Sequence, residues 1–593
     1  MSIIVQKFGG TSVADTTKIL AAARKAIRAQ QEGHQVVMVV SAMGKNTDVL
    51  VDLAAEISDR PPAREMDMLL STGEQVSVAL MAMAVHALGH KAVSLTGAQI
   101  GIKTDSTHTK ARIRSISTDR MRRLLDDGNI VIAAGFQGID EDYNITTLGR
   151  GGSDTTAVAL AAVLQATACE IYTDVDGVYT TDPRIVPEAR RVSRISYDEM
   201  LELASLGAGV MHSRAIEFAK KFDVPIHVRS SFTDIPGTMI VAQPEAETPV
   251  SGAALTRDEA RITIAGVPDV PGTSWEIFSR IARHNITVDM IVQNVGQQGK
   301  ASISFTVPKN ELTVTLEAVD EATRKMGYVV VTSDDQVSKV SVVGLGMAEQ
   351  TGVADKMFQA LADAGINIQM ITTSEIKISV LVERDSALDA LRRVHRAFEL
   401  QLPPQTMLPE VATAAGARAP SDMTAVVSRL RDTNMEELTI DGISLDETQA
   451  RITVEGIPDE PGIAARAFQQ VAASGIFVDM IVQGFGGDGD ASLTFTVPRE
   501  NLKESLAVAE KLAKDMKFQQ VTHSPNIAKL SISGIGLRSH TGVAIRAFRA
   551  LSDASINVEM INTSEVRVNV VVAGDKGAAA MKALESVFAD ARI

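Results

Sequence analysis

Five short runs in the first part of the chain hold the residue types best suited to chemistry. Lys7 ends an apolar stretch and is followed by Gly9, Gly10, Thr11 and Ser12. Glycines there let the backbone approach an anion closely, and a helix start beyond them offers free N–H groups. A lysine beside them could neutralise phosphate charge. The same run also reads as a plain strand-to-helix turn with a solvated lysine, and no GxxxxGK[ST] phosphate loop occurs in the chain. Gly149-Arg150-Gly151-Gly152-Ser153-Asp154 is more specific. Arg150 can clamp a carboxylate bidentately, and Ser153-Asp154 at a helix start suits an anion or metal site. Ser153 or Asp154 could equally be an N-cap, although a cap does not require three glycines. Thr173 to Arg184 packs three acids, Tyr179 and Arg184 into twelve residues, which suits a nucleotide wall better than a bare turn. Ser41-Ala-Met-Gly44 and Glu74 complete the polar inventory. Taken singly, each run fits a structural role at least as well as a catalytic one.

The elements that must position these runs alternate. Ile3–Phe8, 36–41, 130–136 and 171–175 read as strands, and 15–31 and 153–165 as helices. Continuous β-branched runs separated by helices predict a mainly parallel sheet covered on both faces. The polar, proline-bearing segment 242–248 ends this first domain, predicted to span 1–245.

Beyond it the sequence repeats. PDVPG at 268–272 recurs as PDEPG at 458–462, and VDMIVQ at 288–293 recurs at 478–483, both 190 residues apart. Alignment needs no gap from Gly252/Gly442 to Glu375/Glu565, so a tandem duplication is the economical explanation. Each block is itself double: Gly266, Gly272 and Asp289 align with Gly346, Gly352 and Gln369, 80 residues on. Four copies of one strand–helix–strand unit are predicted, over 250–337, 338–402, 440–527 and 528–593. A proline-rich linker covers 403–439.

Composition excludes several classes. At 593 residues, with 45% hydrophobic and 22% charged residues, the chain has the balance of a globular protein. Aromatics reach only 4%, so the cores must be built from Ala, Val, Ile, Leu and Met. A lone cysteine, Cys169, excludes a disulfide framework and a Cys-based zinc site, and suits a reducing compartment. A net charge of −15 argues against a nucleic-acid partner. The N-terminus enters a strand at once, and the longest uncharged stretches fall short of the ~20 residues a membrane span needs. A soluble, cytoplasmic protein is the expectation.

Taken together, KFGGTSV, SAMG, STGEQ, TLGRGGSDTTA and TDVDGVYTTDPR resemble the aspartate kinase family of the amino-acid kinase superfold. The resemblance covers the whole chain. It implies an amino-acid-kinase α/β fold followed by four ferredoxin-like βαββαβ ACT domains in two tandem pairs. It also implies transfer of the γ-phosphoryl of MgATP to the side-chain carboxylate of L-aspartate, giving 4-phospho-L-aspartate for lysine, threonine and methionine synthesis. By match to the family motifs, Lys7 would stabilise the transferring phosphoryl and Asp154 would organise Lys7. Arg150 would grip the aspartate α-carboxylate and Glu74 its ammonium, with Ser41, Thr47, Gly151, Gly152 and Ser153 lining the pocket. Gly9, Gly10, Thr173, Asp174, Tyr179, Arg184, Gly209 and Val210 would hold the nucleotide. One departure stands out: Gly209 replaces a lysine usual in the family's GAKVLH segment, with Arg214, Lys220 and Lys221 as nearby substitutes. No protein-only metal site is expected; Mg²⁺ would arrive with ATP.

The same resemblance places lysine or threonine between ACT units. Contacts would come from Asp269, Gly272, Val288, Asp289, Gln293 and Asn294 in the first unit, and from Gly352, Val353, Asn367, Gln369, Ser374 and Glu375 in the second. In the third they would come from Asp459, Gly462, Asp479 and Gln483, and in the fourth from Gly542, Asn557, Glu559, Ser564 and Glu565. Gln-Asn or Gln-Gly in two units stands where the other two have Thr-Ser, which predicts inequivalent sites. ACT sheets pair between subunits in this family, implying a homodimer or larger assembly. Two other readings compete, the second within the enzyme class. One is a non-enzymatic amino-acid sensor, favoured only by Gly209; the other is a sister kinase acting on glutamate or carbamate. The fourth unit runs to Ile593, so no attached dehydrogenase domain is expected.

Overall fold

The computed structural model describes residues 1–207, 210–242, 244, 248–295, 299–403, 435–476, 478–485, 491–537 and 542–592. The predicted Gly209 and most of the linker lie outside them.

The first domain is built on an eight-stranded sheet. Its order is Arg194–Ser196, Thr238–Val241, Ile226–Ser230, Ala168–Thr173, Ile3–Phe8, Gln35–Val40, Ile130–Ala134 and Ala92–Leu95. All neighbours are parallel except Ile226–Ser230 and Thr238–Val241. Strand alternation divides the side chains between two cores. Phe8, Val36, Met38 and Val40 pack under helices Thr16–Gln31 and Ala63–Ala87. Val5, Val37 and Val39 pack against helices Gly152–Leu164 and Ser213–Phe222 on the other face. A smaller four-stranded sheet, Ile113–Ile116, Ile102–Thr104, Gln137–Ile139 and Ile145–Thr147, covers one end. The strand expected at 171–175 begins earlier, at Ala168, because Ile4↔Ala168 pairing extends it, and it stops before the Asp-Val-Asp-Gly turn.

Helix Ala63–Ala87 has the length and apolar composition of a membrane span. More than half of its apolar window is buried here, and it turns the buried acids Asp67 and Glu74 inward. Seven residues apart, the two acids share one helix face.

Each regulatory unit is an ACT fold; the first and third run βαββαβ, while the second and fourth end on a helix and take their sixth strand from upstream. The long strand Gly252–Pro268 serves two units: residues 259–265 pair with 330–337 in the first, and 252–256 pair with 339–343 in the second. The strand Thr439–Asp446 likewise joins the fourth unit by pairing with Ile527–Ile535. The first and second units share two long strands, and side-by-side packing crosses the duplication. The second and third units join sheets at Ile371↔Gln483 and pack Phe358 on Phe468 at 5.3 Å. The first and fourth pack Phe278 on Phe548 at 5.9 Å. A central cluster unites all four, and it is pseudo-twofold: Met290 with Met480, Val292 with Val482, Val337 with Ile527, Met370 with Met560, Leu381 with Val571. Each pair is offset by 190 residues.

Candidate active site and effector clefts

Lys7 stands at the centre of the sheet, flanked by Val39 and Ile171. Its odd position directs it to the face covered by helix Gly152–Leu164, where Nζ meets Asp154 Oδ1 at 2.6 Å. That helix is N-capped by Gly151 in the left-handed region, with no side-chain cap bond. Asp154 is therefore not a cap; it sits in the first turn, facing the lysine. Gly151 is obligatory, since a Cβ there would lie 2.3 Å from His212. Gly10 is held as tightly: a Cβ would come within 2.9 Å of the Ala42 carbonyl, which lets the 9–13 and 41–44 loops touch.

These groups line one cavity of about 1330 Å³. It gathers Lys7, Gly10, Ser41, Thr47, Glu74, Arg150, Gly151, Gly152, Ser153 and Asp154. Glu74 is buried and accepts the Ala42 N–H at 3.1 Å through Oε1. Its other oxygen, Oε2, has no hydrogen-bond partner. Burial outweighs the amide bond and raises its pKa to about 7. A buried, half-satisfied carboxylate in a polar cavity fits a cationic ligand group. Arg150 is exposed at the rim and free to close on an anion.

The remaining nucleotide residues do not line the cavity. Thr173 and Asp174 lie past the end of the central strand, where Thr173 Oγ1 donates to Asp174 at 3.1 Å. Gly9 adjoins Lys7. Tyr179 bridges to Arg191, and Arg184 folds back on Asp182 at 2.8 Å, largely in solvent. Val210 packs on the domain core. The adjoining residues 180–186 form a contact with the second ACT unit: Thr180 meets His395 at 2.9 Å, and Arg392 donates to the Ile185 carbonyl. The cations offered in place of the Gly209 position are engaged within the chain. Lys220 pairs with Asp198 at 2.7 Å, Lys221 donates to the Glu437 carbonyl at 2.8 Å, and Arg214 pairs with Glu436 at 2.6 Å.

Two buried acids, Asp67 and the Glu436 that partners Arg214, escaped the sequence reading. Asp67 accepts from His108 Nδ1 at 2.7 Å, Thr109 N at 3.0 Å and Thr147 Oγ1 at 2.5 Å, tying together the loops at 107–110 and 147–150. Its one local signal is an acid seven residues before Glu74 in an apolar helix. Arg214–Glu436 spans 222 residues and has no local signal.

The clefts between units are of two kinds. Gln293 donates to the Val558 carbonyl at 2.6 Å, and Asn557 binds Asp269 at 2.7 Å, across the first–fourth junction beside Gly272. The second–third junction repeats this, with Gln483 on the Ile368 carbonyl at 3.2 Å and Asn367 on Asp459 at 2.6 Å beside Gly462. The Thr-Ser sides are more open. Gly352, Val353, Ser374, Glu375 and Asp479 line about 280 Å³, and Val288, Asp289 and Ser564 line about 90 Å³. The acids expected to grip a ligand there already hold lysines: Asp289 binds Lys339 at 2.5 Å, and Asp479 binds Lys529. Gln369 N–H donates to the Leu381 carbonyl, Glu559 pairs with Arg451 at 2.7 Å, and Gly542 opens a helix. Glu565 donates its N–H to Glu202 of the kinase domain at 2.9 Å. The side chain of Asn294 lies outside the described residues.

Comparison with known proteins agrees with this geometry. Residues 2–230 match the amino acid kinase family, and 262–323, 340–398 and 530–588 match the ACT domain. An aspartate kinase of Stutzerimonas stutzeri is 52% identical over 406 residues, 68% of this chain and 98% of its own length. The aspartokinase of Geobacillus stearothermophilus is 52% identical over 402 residues, with the same two shares. Among solved structures, the aspartate kinase from Synechocystis superposes with a TM-score of 0.52 at 41% identity, covering 99% of this chain and 98% of that one. E. coli aspartokinase III with aspartate and ADP gives a TM-score of 0.57 at 26% identity, over 67% of this chain and 100% of that one. The same enzyme with lysine and aspartate gives 0.54, again at 26% identity, over 67% and 99%. The chain belongs to the aspartate kinase family, with its amino-acid-kinase domain followed by four ACT units.

Proposed function

We propose that the cavity binds L-aspartate and MgATP and forms 4-phospho-L-aspartate and ADP. The observation that carries this reading is Glu74, a buried carboxylate with a free oxygen in the same cavity as Arg150 and the Lys7–Asp154 pair. An amino acid with a second carboxylate matches that set: ammonium on Glu74, α-carboxylate on Arg150, side-chain carboxylate toward Lys7. A carboxylate oxygen then bonds to the γ-phosphorus as the bond to ADP breaks. Such transfer relies on positioning and charge neutralisation. Lys7, held by Asp154, stabilises the phosphoryl oxygens. Among the described residues no group of three His, Cys, Asp or Glu forms a metal cage. One carboxylate beside a lysine fits a Mg²⁺ held chiefly by phosphate oxygens, which would neutralise part of the triphosphate charge. Thr173 and Asp174, at the C-terminal edge of the sheet, are the nucleotide contacts of this reading together with Gly9, Gly10, Tyr179, Arg184, Gly209 and Val210.

Feedback by lysine or threonine, and a cytoplasmic place in the synthesis of lysine, threonine and methionine, belong to the same proposal. The E. coli relative crystallised with lysine supports the first effector. The two more open clefts suit one ligand type and the two Gln-Asn-Asp junctions another. Assembly of two or more chains through exposed ACT edges completes the reading.

The test is hydroxylamine trapping of aspartyl phosphate from the full chain with MgATP and aspartate, without effector and with lysine, threonine and both. Turnover that falls with an effector is expected. Lys7→Ala should lower kcat by about 10²–10³-fold, the usual loss of a preorganised charge-stabilising donor. No hydroxamate, with lysine or threonine still raising the melting temperature, would favour an amino-acid sensor instead.

A further inference from the structure

Just before the strand Thr439–Asp446, residues 435–437 of the regulatory half enter the wall of the catalytic cavity. Glu436 is 8% exposed there, and both its oxygens are engaged. Arg214 Nε donates to Oε2 at 2.6 Å and Nη2 to Oε1 at 2.8 Å, while the Ile113 amide donates to Oε1 at 2.9 Å. Arg214 spends its other donors on two backbone carbonyls. Nη2 reaches Ala111 at 2.6 Å, and Nη1 reaches Leu148. The guanidinium thus staples the loop at 109–112 to the loop that leads through Gly149 into Arg150. Its counter-charge comes from the other half of the molecule.

A path runs onward from this clamp. Thr439 pairs with Ile535 in the fourth unit's sheet; Ile535 and Gly536 line the catalytic cavity, and Leu537 lines the cleft that holds Ser564 and Asp289. A buried Arg–carboxylate pair costs desolvation and is weak evidence for stability alone. Removing its acid leaves a buried cation beside the substrate loop.

We propose that Glu436 is a positioning residue for the aspartate-binding loop, holding Arg150 in place through Arg214 and Leu148, and that the fourth regulatory unit acts on substrate affinity through it. The inference rests on the aspartate kinase reading of the cavity. In this arrangement Arg214 is withheld from substrate and nucleotide while Glu436 is docked. A shift of strand 439–446 would loosen both loops at once.

The full-length wild type, Glu436→Gln and Glu436→Asp should be compared for aspartate KM, kcat and inhibition by lysine and threonine. Glu436→Gln is expected to raise aspartate KM about tenfold, the ordinary scale of coupling between sites, with kcat within about threefold. It should also raise the half-inhibiting effector concentration, and Glu436→Asp should recover part of both. A folded Glu436→Gln with wild-type KM and inhibition overturns the proposal, as does a fall in kcat at unchanged KM. Amide exchange gives a readout independent of turnover: residues 109–113 and 147–152 should exchange faster in Glu436→Gln, and unchanged exchange overturns the proposal. If the wild type makes no aspartyl phosphate, the substrate reading fails, and exchange alone decides whether Glu436 holds the loop.

Discussion

The two duplicated blocks carry the same apolar centre but spend equivalent charged positions differently. Lys339 is buried between two acids, Glu259 at 3.1 Å and Asp289 at 2.5 Å. Its counterpart Lys529 has Asp479, while Gln449 stands where Glu259 would be. Lys377 is buried and reaches Glu202 of the kinase domain at 2.8 Å; its counterpart Arg567 is half-exposed and pairs with Glu375 of the other block. Arg451 pairs with Glu559 at 2.7 Å, whereas its counterpart Arg261 leans on Asp334 at 3.6 Å, and Gln369 stands at the position equivalent to Glu559. The five repeat-related pairs of the central cluster show no such divergence in character. Duplication kept what packs the four units together and altered the charged pairs around it, one of which fastens the first block to the kinase domain. The blocks are therefore alike as folds and unlike in their charged contacts.

The sharpest contrast lies at Lys377 and Arg567. Lys377→Ala strips the counter-charge from Glu202, which is fully buried and held by the Glu565 amide. It should cost about 3–5 kcal/mol, the scale of a broken buried pair. Arg567→Ala, at an exposed pair, should cost under ~1 kcal/mol. Denaturant titration of both variants measures this, and equal losses would erase the asymmetry between blocks. A smaller effect belongs to the lysine clusters. Glu259→Gln removes one of two acids from a buried lysine and should destabilise by about 1.5–3 kcal/mol, the value of a hydrogen bond to a charged group. Gln449→Glu adds the missing acid to the second block and should change stability by less than ~1 kcal/mol, because Lys529 is less buried.

Much of the site was legible because its residues are local. KFGGTS and GRGGSD each place a charge at the end of a strand or the start of a helix, and the sheet then brings Lys7 to Asp154. The choice between an N-cap and a functional acid at Asp154 was not legible, since it turns on Gly151 taking the left-handed cap. Tyr179 and Arg184 show a different limit. They sit in a suggestive run outside the cavity lining, and what they would hold depends on a ligand that the local pattern does not define; their neighbours meet the second ACT unit. Repeats revealed four units and not their partners. Copies of one fold offer similar faces, so the crossing of first with fourth and second with third depends on the three-dimensional path between blocks. Asp67 and the Arg214–Glu436 clamp join segments 41 to 222 residues apart, beyond any local pattern.

The kinase cavity differs from the clefts between ACT units in the state of the acid assigned to its ligand, which is not already satisfied. Asp289 and Asp479 hold lysines, and Asp269 and Asp459 hold asparagines, while Glu74 keeps Oε2 unpartnered with its pKa raised by burial to about 7. If that carboxylate receives the aspartate ammonium, substrate must bind the ionised form. A proton competes below pH ~7, so the affinity is fully present above that value and is lost as pH falls through it. The most direct test is kcat/KM for aspartate from pH 5.5 to 8.5 in the wild type and in Glu74→Gln, since this ratio reports the free enzyme. The wild type should fall about tenfold per pH unit below ~7, and Glu74→Gln should be low and lack that step. A flat wild-type profile, or the same step in Glu74→Gln, would contradict the assignment of this cavity to aspartate.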